Sequence, residues 1–154
     1  MRQIQDWLDE YAVSHKNSTN KAIHWICVPL IVWSLVLLLT SVPTPEILSI
    51  THLNWAWIFS GLSVIWYFFL SIPLAIGMTI FLVLLNYLSL QVQETAFYPT
   101  WAIGLAVFVI SWIGQFYGHH IEGKKPSFLK DIQFLLIGPI WLLHFVYKQI
   151  GLKY

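Results

Sequence analysis

The sequence predicts an all-α fold. It reads as an integral membrane bundle of four transmembrane helices, with an N-terminal amphipathic helix and a C-terminal re-entrant or interfacial helix. Three observations carry this prediction. First, 58% of the 154 residues are hydrophobic and only 10% are charged, whereas soluble domains carry roughly 25% charged residues. A chain this small cannot hide so much apolar surface from water. Second, the apolar residues fall into runs that match the ~20 residues needed to cross a bilayer. Third, the basic residues fall to one side of those runs. Residues 1–154 form a single membrane domain in this reading, which excludes a soluble enzyme, a disordered chain and a nucleic-acid binder. A net charge of +1 provides no field for a polyanion. The single cysteine, Cys27, rules out an intrachain disulfide and a cysteine-based zinc site.

Residues 2–14 place Ile4, Trp7, Leu8 and Tyr11 on one helical face, with Asp6, Asp9 and Glu10 elsewhere. That is an amphipathic helix lying on the membrane or on the protein. It lacks the basic start and apolar run of a cleavable signal peptide. The first span covers 22–39. The stretch 55–90 has no charged residue, and as one straight helix it would reach roughly 50 Å, against a hydrocarbon core of ~30 Å. It must fold back. Ser71-Ile72-Pro73 is the expected turn, because proline removes a backbone donor and disfavours helix at the residue before it. Two spans result, 55–71 and 74–91. The fourth covers 99–117, with Pro99 suited to a first helical position. The last apolar run, 134–147, is short and interrupted by Gly138-Pro139, so it reads as re-entrant or interfacial.

Four crossings put the N-terminus, the 71–73 turn and everything after Tyr117 on one side. Arg2, Lys16, Lys21, Lys124, Lys125 and Lys130 lie there. The opposite loops, 40–54 and 92–98, hold Glu46 and Glu94 and no lysine or arginine. The positive-inside rule assigns the basic side to the cytoplasm. A re-entrant tail adds Lys148 and Lys153, and all eight basic residues then share one side.

Four of the six histidines gather at that interface. His15 follows the first helix, His24 begins the first span, and His119 and His120 end the fourth. Asn17, Asn20, Gln115, Glu122, Lys124 and Lys125 arrive with them. Ionisable groups at membrane depth are costly and usually functional, and nitrogen ligands from several helices suit iron, zinc or copper. Any one interfacial histidine can simply cap a helix or meet a headgroup; the convergence of separate segments favours a metal. His119 and His120 point about 100° apart on a helix. Both reach one metal only if the helix breaks, for which Gly118 and Gly123 are the expected places. His52 lies in the far loop, and His144 reaches the site only if the tail folds inward.

Other features carry less. The nine tryptophans and seven tyrosines sit largely near span ends, as aromatic belts do. Asn86 suits an interhelical hydrogen bond better than a site. There is no glycine-rich phosphate loop, no G-x-S-x-G elbow and no base partner for Ser127. No internal repeat is evident. The absence of H-x-x-H-H clusters argues against histidine-box di-iron enzymes.

Two stretches carry a family resemblance. One is Tyr11-Ala-Val-Ser-His15-Lys-Asn17-Ser-Thr-Asn20-Lys-Ala-Ile-His24-Trp-Ile-Cys-Val-Pro29, with the pattern Y-x3-H-x-N-x2-N-x3-H-x4-P. The other is Trp112-Ile-Gly-Gln115-Phe-Tyr-Gly118-His119-His-Ile-Glu122-Gly-Lys-Lys-Pro126, followed by Gly138-Pro139. Together they resemble the 2-hydroxy fatty acid dioxygenases of yeast phytosphingosine breakdown and their bacterial relatives, long labelled a domain of unknown function. The resemblance extends through Pro73, Gly77 and Asn86.

It implies an iron(II)-dependent membrane enzyme that uses O2 to shorten 2-hydroxy long-chain fatty acids by one carbon. It implies His15, His24 and His119 as metal ligands, with Asn20, Gln115 and Glu122 as polar support. His120 lies outside the pattern and stands as an extra candidate ligand. Lys124 or Lys125 is expected to pair with the substrate carboxylate. Asn20 and Gln115 are expected to hold the imidazoles by hydrogen bonds. The bilayer is the other expected partner, either the bacterial inner membrane or the endoplasmic reticulum, and self-association stays open. Two competitors remain at this stage: a zinc hydrolase of lipids on the same scaffold, and a non-enzymatic haem or lipid carrier.

Overall fold

The structure is a computed structural model, and it describes residues 3–47, 53–123 and 134–154. His52, Lys124, Lys125, Ser127 and Lys130 lie outside the described residues. The described residues form six helices: α1 (Ile4–Ala12), α2 (Ser18–Thr40), α3 (Trp55–Leu70), α4 (Ile72–Thr95), α5 (Thr100–Glu122) and α6 (Ile137–Gln149). No strand occurs among them.

The amphipathic face of α1 lies on protein. Leu8 and Tyr11 are buried, Ile4 and Trp7 pack against the core, and Asp6 and Asp9 stay exposed. Trp7 and Tyr11 both meet Phe134 edge-on, with ring centroids 6.2 and 5.5 Å apart. Helix α2 starts at Ser18, earlier than the expected 22, because Asn17 caps it. The Asn17 side chain accepts from the backbone N–H of Thr19 at 2.8 Å and of Asn20 at 3.3 Å, satisfying donors that a helix start leaves open.

The expected reversal occurs, but over one residue rather than three. Ser71 is extended (φ −165°, ψ 122°) and separates α3 from α4. Pro73 sits in the first turn of α4, where its missing N–H costs nothing. Helix α5 has Pro99 as its N-cap rather than its first helical residue, and it runs past 117 to Glu122. It does not break at Gly118. It ends at Gly123, whose φ of 72° is the left-handed conformation glycine adopts without penalty.

By length and composition, α2, α4 and α5 can each cross a membrane; α3 is apolar but has 16 residues, about 24 Å. The outer surface is lipid-like. Ile65, Phe69, Ile80, Ile110 and Ile113 are all more than half exposed, and large exposed apolar surface marks contact with membrane or protein.

Helices α2 and α5 form the most extensive pair. Small residues let their backbones approach. A Cβ on Gly114 would lie 2.6 Å from Cys27 Sγ, and one on Gly118 would meet Asn20 Oδ1. The α3–α4 hairpin is the next largest contact. Asn86 Nδ2 donates to Ser60 Oγ across it at 2.8 Å and to Leu82 O at 2.9 Å, so this residue is an interhelical tie.

The tail returns to the end of the bundle that holds the Ser71 turn and the start of α2. Tyr67 donates to Leu136 O at 2.9 Å, and Tyr147 to Pro73 O at 2.8 Å. Ile137, Ile140 and Trp141 are almost fully buried there.

Candidate metal centre

Helical spacing assembles two walls of the site. On α2, Asn20, His24 and Val28 are buried four residues apart; on α5, Ser111, Gln115 and His119 are. Residues at this spacing share one helix face. The antiparallel α2–α5 packing brings the two polar ends together. The third wall is the connector 13–17, which carries His15.

The connector is held by accounted backbone bonds. Val13, Ser14 and His15 donate to Glu10, Tyr11 and Ala12 carbonyls at 3.1–3.3 Å. The next two N–H groups, of Lys16 and Asn17, donate to the two carboxylate oxygens of Glu122 at 2.8 and 2.9 Å. Asn20 Nδ2 donates to Glu122 Oε2 at 3.0 Å and to Ser14 O at 3.1 Å. One carboxylate at the end of α5 thus ties the connector and α2 to the helix that carries His119. Charge-assisted bonds of this kind are the stronger class.

His15, His24 and His119 are all buried, and each offers a ring nitrogen within 4.8 Å of the others'. Their ring centroids are 4.2 Å (15–24), 5.1 Å (24–119) and 5.3 Å (15–119) apart. The rings stand at 67–88° to one another, so the pairs meet edge to face rather than stacked.

His15 Nδ1 bonds Tyr11 O at 2.6 Å, and His24 Nδ1 bonds Asn20 O at 2.9 Å. A carbonyl oxygen only accepts, so in the neutral rings Nδ1 carries the proton and Nε2 the lone pair. That tautomer is the one a metal-binding imidazole adopts when its other nitrogen donates to a carbonyl. Three bonds of about 2.1 Å to one ion hold the nitrogens no more than about 3.6 Å apart, so nitrogens within 4.8 Å of one another must draw together to close the cluster on a metal. The buried acceptors Asn20 Oδ1 and Gln115 Oε1 have no hydrogen-bond partner. Buried acceptors of this kind call for a donor; Asn20 Oδ1 lies between α2 and α5, where a Cβ on Gly118 would come. The residues present therefore fit a metal with three nitrogen ligands.

The remaining expected residues are distributed as follows. Glu122 acts on the connector, and Asn20 meets His24 through its backbone carbonyl while its side chain goes to Glu122 and Ser14, so it is not the side-chain tie expected of it. Gln115 is buried one turn from His119, and its Oε1 bonds no imidazole. His120 is exposed and is not among the histidines brought together, because α5 continues unbroken through it. His144 stays outside the cluster as well: its Nδ1 bonds Trp141 O at 2.6 Å, and burial holds its imidazole below the ordinary value. Lys124 and Lys125, the expected carboxylate partners, lie outside the described residues.

Two residues were not anticipated. Tyr11 stacks on His15 (4.1 Å, 7°), and Trp141 packs on both rings at 5.2 Å. Tyr11 stands four residues before His15, a spacing that could have suggested the stack. Trp141 gave no such signal, since nothing distinguishes it from the other apolar tail residues.

The fold and the site define a class: a helical protein with membrane-length apolar helices and a buried three-histidine cluster able to hold a metal. Comparison with known proteins gives the family. The chain belongs to the Mpo1-like family, whose model, described as 2-hydroxy-palmitic acid dioxygenase Mpo1-like, matches residues 1–150. It is 30% identical over 148 residues to the 2-hydroxy-palmitic acid dioxygenase MPO1 of Saccharomyces cerevisiae, covering 94% of this chain and 80% of that protein. No solved structure matches it.

Proposed function

We propose that this protein is an iron(II)-dependent dioxygenase that shortens 2-hydroxy long-chain fatty acids by one carbon. The observation that carries the proposal is the convergence of His15, His24 and His119 from three separate segments in a chain of this family. The three imidazoles would hold the ion. Three nitrogen ligands leave positions for a bidentate 2-hydroxy carboxylate and for O2. The chemistry that iron(II) supplies when bound is activation of dioxygen, which amino-acid side chains do not provide.

The chain's own residues do the rest. Tyr11 O and Asn20 O keep the protons of His15 and His24 on Nδ1. Glu122 keeps the connector closed over the site. Tyr11 and Trp141 wall it from water on the tail side. Asn20 Oδ1 and Gln115 Oε1 are acceptors suited to the substrate hydroxyl or to water. Lys124 or Lys125 pairs with the carboxylate. The overall change balances without an external reductant: a 2-hydroxy acid and one O2 become the acid one carbon shorter, carbon dioxide and water.

In this proposal α2, α3, α4 and α5 all cross the bilayer, α1 is an amphipathic helix on the protein, and α6 is re-entrant or interfacial. The placement of all eight basic residues supports a cytoplasm-facing site, in a bacterial inner membrane or the endoplasmic reticulum.

The test is anaerobic reconstitution with iron(II), followed by oxygen uptake with 2-hydroxypalmitic acid. Uptake that requires both the metal and the 2-hydroxyl, with a product one carbon shorter, is the expected result. Cleavage by metal-free protein, or lipid hydrolysis without oxygen uptake, overturns it.

A further inference from the structure

Between α2, α4 and α6 lies a cavity of about 160 Å³ with apolar walls. Trp25 and Pro29 line it from α2, Met78 and Phe81 from α4, and Leu142 and Val146 from α6. Met78 and Leu142 are buried at its depth, while Trp25 and Val146 are partly exposed at its rim. The cavity thus opens at the surface and closes inside.

Its position relative to the histidines is set by two elements at once. Trp25 directly follows His24 on α2. Leu142 directly follows Trp141, whose ring packs on His15. On α2 the wall residue is the next in the chain after His24, about 100° round the helix from it, and on α6 the ring of Trp141 stands between the wall and His15.

The lining decides what can occupy the space. A buried water needs two to four polar partners, and an apolar cavity of about 150 Å³ stays dry yet admits a benzene-sized guest. A polar ligand would lose its hydrogen bonds there. The space suits a stretch of hydrocarbon, too short to be a whole long-chain acid. The yeast relative is named for a hydroxy acid with a palmitic chain.

We propose that this cavity seats part of the alkyl chain of the 2-hydroxy fatty acid whose carboxyl end lies at the histidines; the proposal rests on the function proposed above. A chain that reaches the cavity from the bilayer is already out of water, so apolar transfer adds little; fit to the walls decides, and the cavity becomes a determinant of chain-length preference.

The test uses the full chain in phosphatidylcholine nanodiscs, with and without iron. The probe is 2-hydroxypalmitic acid carrying a diazirine near the chain end. After irradiation, mass spectrometry is expected to find adducts on Met78, Phe81, Leu142 or Val146. Excess 2-hydroxypalmitic acid should suppress them, and excess phospholipid should not. Adducts confined to outward-facing residues such as Phe69, Ile80 and Ile110, or equal suppression by phospholipid, overturn the proposal.

Two variants read the same cavity kinetically. Val146→Trp obstructs the rim without overfilling the core, and Met78→Ala widens the depth. Val146→Trp is expected to lower kcat/KM for 2-hydroxypalmitic acid about tenfold or more, the discrimination an apolar pocket reaches by shape, and to change 2-hydroxyoctanoic acid less than about twofold. An unchanged chain-length profile in both variants overturns the proposal. Labelling in the cavity of a protein that consumes no oxygen would leave the alkyl site standing and remove the reaction. Oxygen uptake with labelling elsewhere would do the reverse.

Discussion

The α3–α4 hairpin and the α2–α5 pair meet the same requirement, close packing of two apolar helices, with different polar inventories. The hairpin uses one cross-helix bond, from Asn86 to Ser60, and its Ser63 and Ser89 hydroxyls turn back to their own helix at 2.8 Å. Each of these groups finds a partner. The α2–α5 pair buries Asn20, His24, Ser111, Gln115 and His119, and three of these keep an acceptor or hydroxyl with no partner: Asn20 Oδ1, Gln115 Oε1 and Ser111 Oγ. In hydrocarbon an interhelical bond contributes about 0.6 kcal/mol, so packing alone does not call for so many polar groups. The hairpin shows what packing two apolar helices demands, and the excess over it, on α2 and α5, surrounds a histidine cluster that could hold a metal.

Five variants can break or sharpen that contrast. The largest effect is expected at the histidines. His24→Ala or His119→Ala removes a proposed ligand, and iron retained on gel filtration and oxygen uptake should both fall by more than about 100-fold, beyond the effect of losing a supporting group. Full iron loading in either variant would return the α2–α5 polar groups to structure.

Next comes Glu122→Gln. The amide sets a donor against the N–H of Lys16 or Asn17 and loosens the connector that carries His15. Iron affinity should drop about 10- to 100-fold, while circular dichroism keeps its helical intensity. A variant that loses helix instead would make Glu122 a determinant of the whole bundle and not of the site.

Gly118→Ala probes the pair's packing. Its methyl group meets Asn20, so an overpacking cost of about 1–3 kcal/mol is expected, measured by unfolding in mixed detergent. The smallest effect belongs to the hairpin. Asn86→Ala should cost about 0.6 kcal/mol, at most about 1.7, with oxygen uptake unchanged. Loss of activity there would show that the two helix pairs do not divide structure and function as described.

Much of the fold was legible because its causes are local. Pro73 announced the reversal, and Ser71 alone accomplishes it, since proline is tolerated in a first turn and the helix restarts at once. The amphipathic pattern of Ile4, Trp7, Leu8 and Tyr11 named the buried face of α1. Asn17 was noted as a polar companion of the site; its cap on α2 moved the helix start from 22 to 18. Helix α3 came out shorter than a full span because Ser71 leaves the helical region right after Leu70. The part of the site that rests on helix periodicity, Asn20 with His24 and Gln115 with His119, could be anticipated. His120 could not be placed without knowing that α5 runs unbroken to Gly123. Trp141 could not be placed at all, because its role depends on where the tail packs.

Apolar run length, proline position and the one-sided distribution of lysine and arginine are properties of the chain itself. They predicted an all-helical, membrane-length architecture with four histidines at one end of the helices, because hydrophobic transfer and helix geometry act residue by residue. Which three of those histidines face one another was decided only in three dimensions. Lys16 and Asn17 meet Glu122 across more than a hundred residues of sequence, and Trp141 closes on His15 from the tail. Such contacts depend on the relative placement of whole helices, and no local pattern encodes that placement.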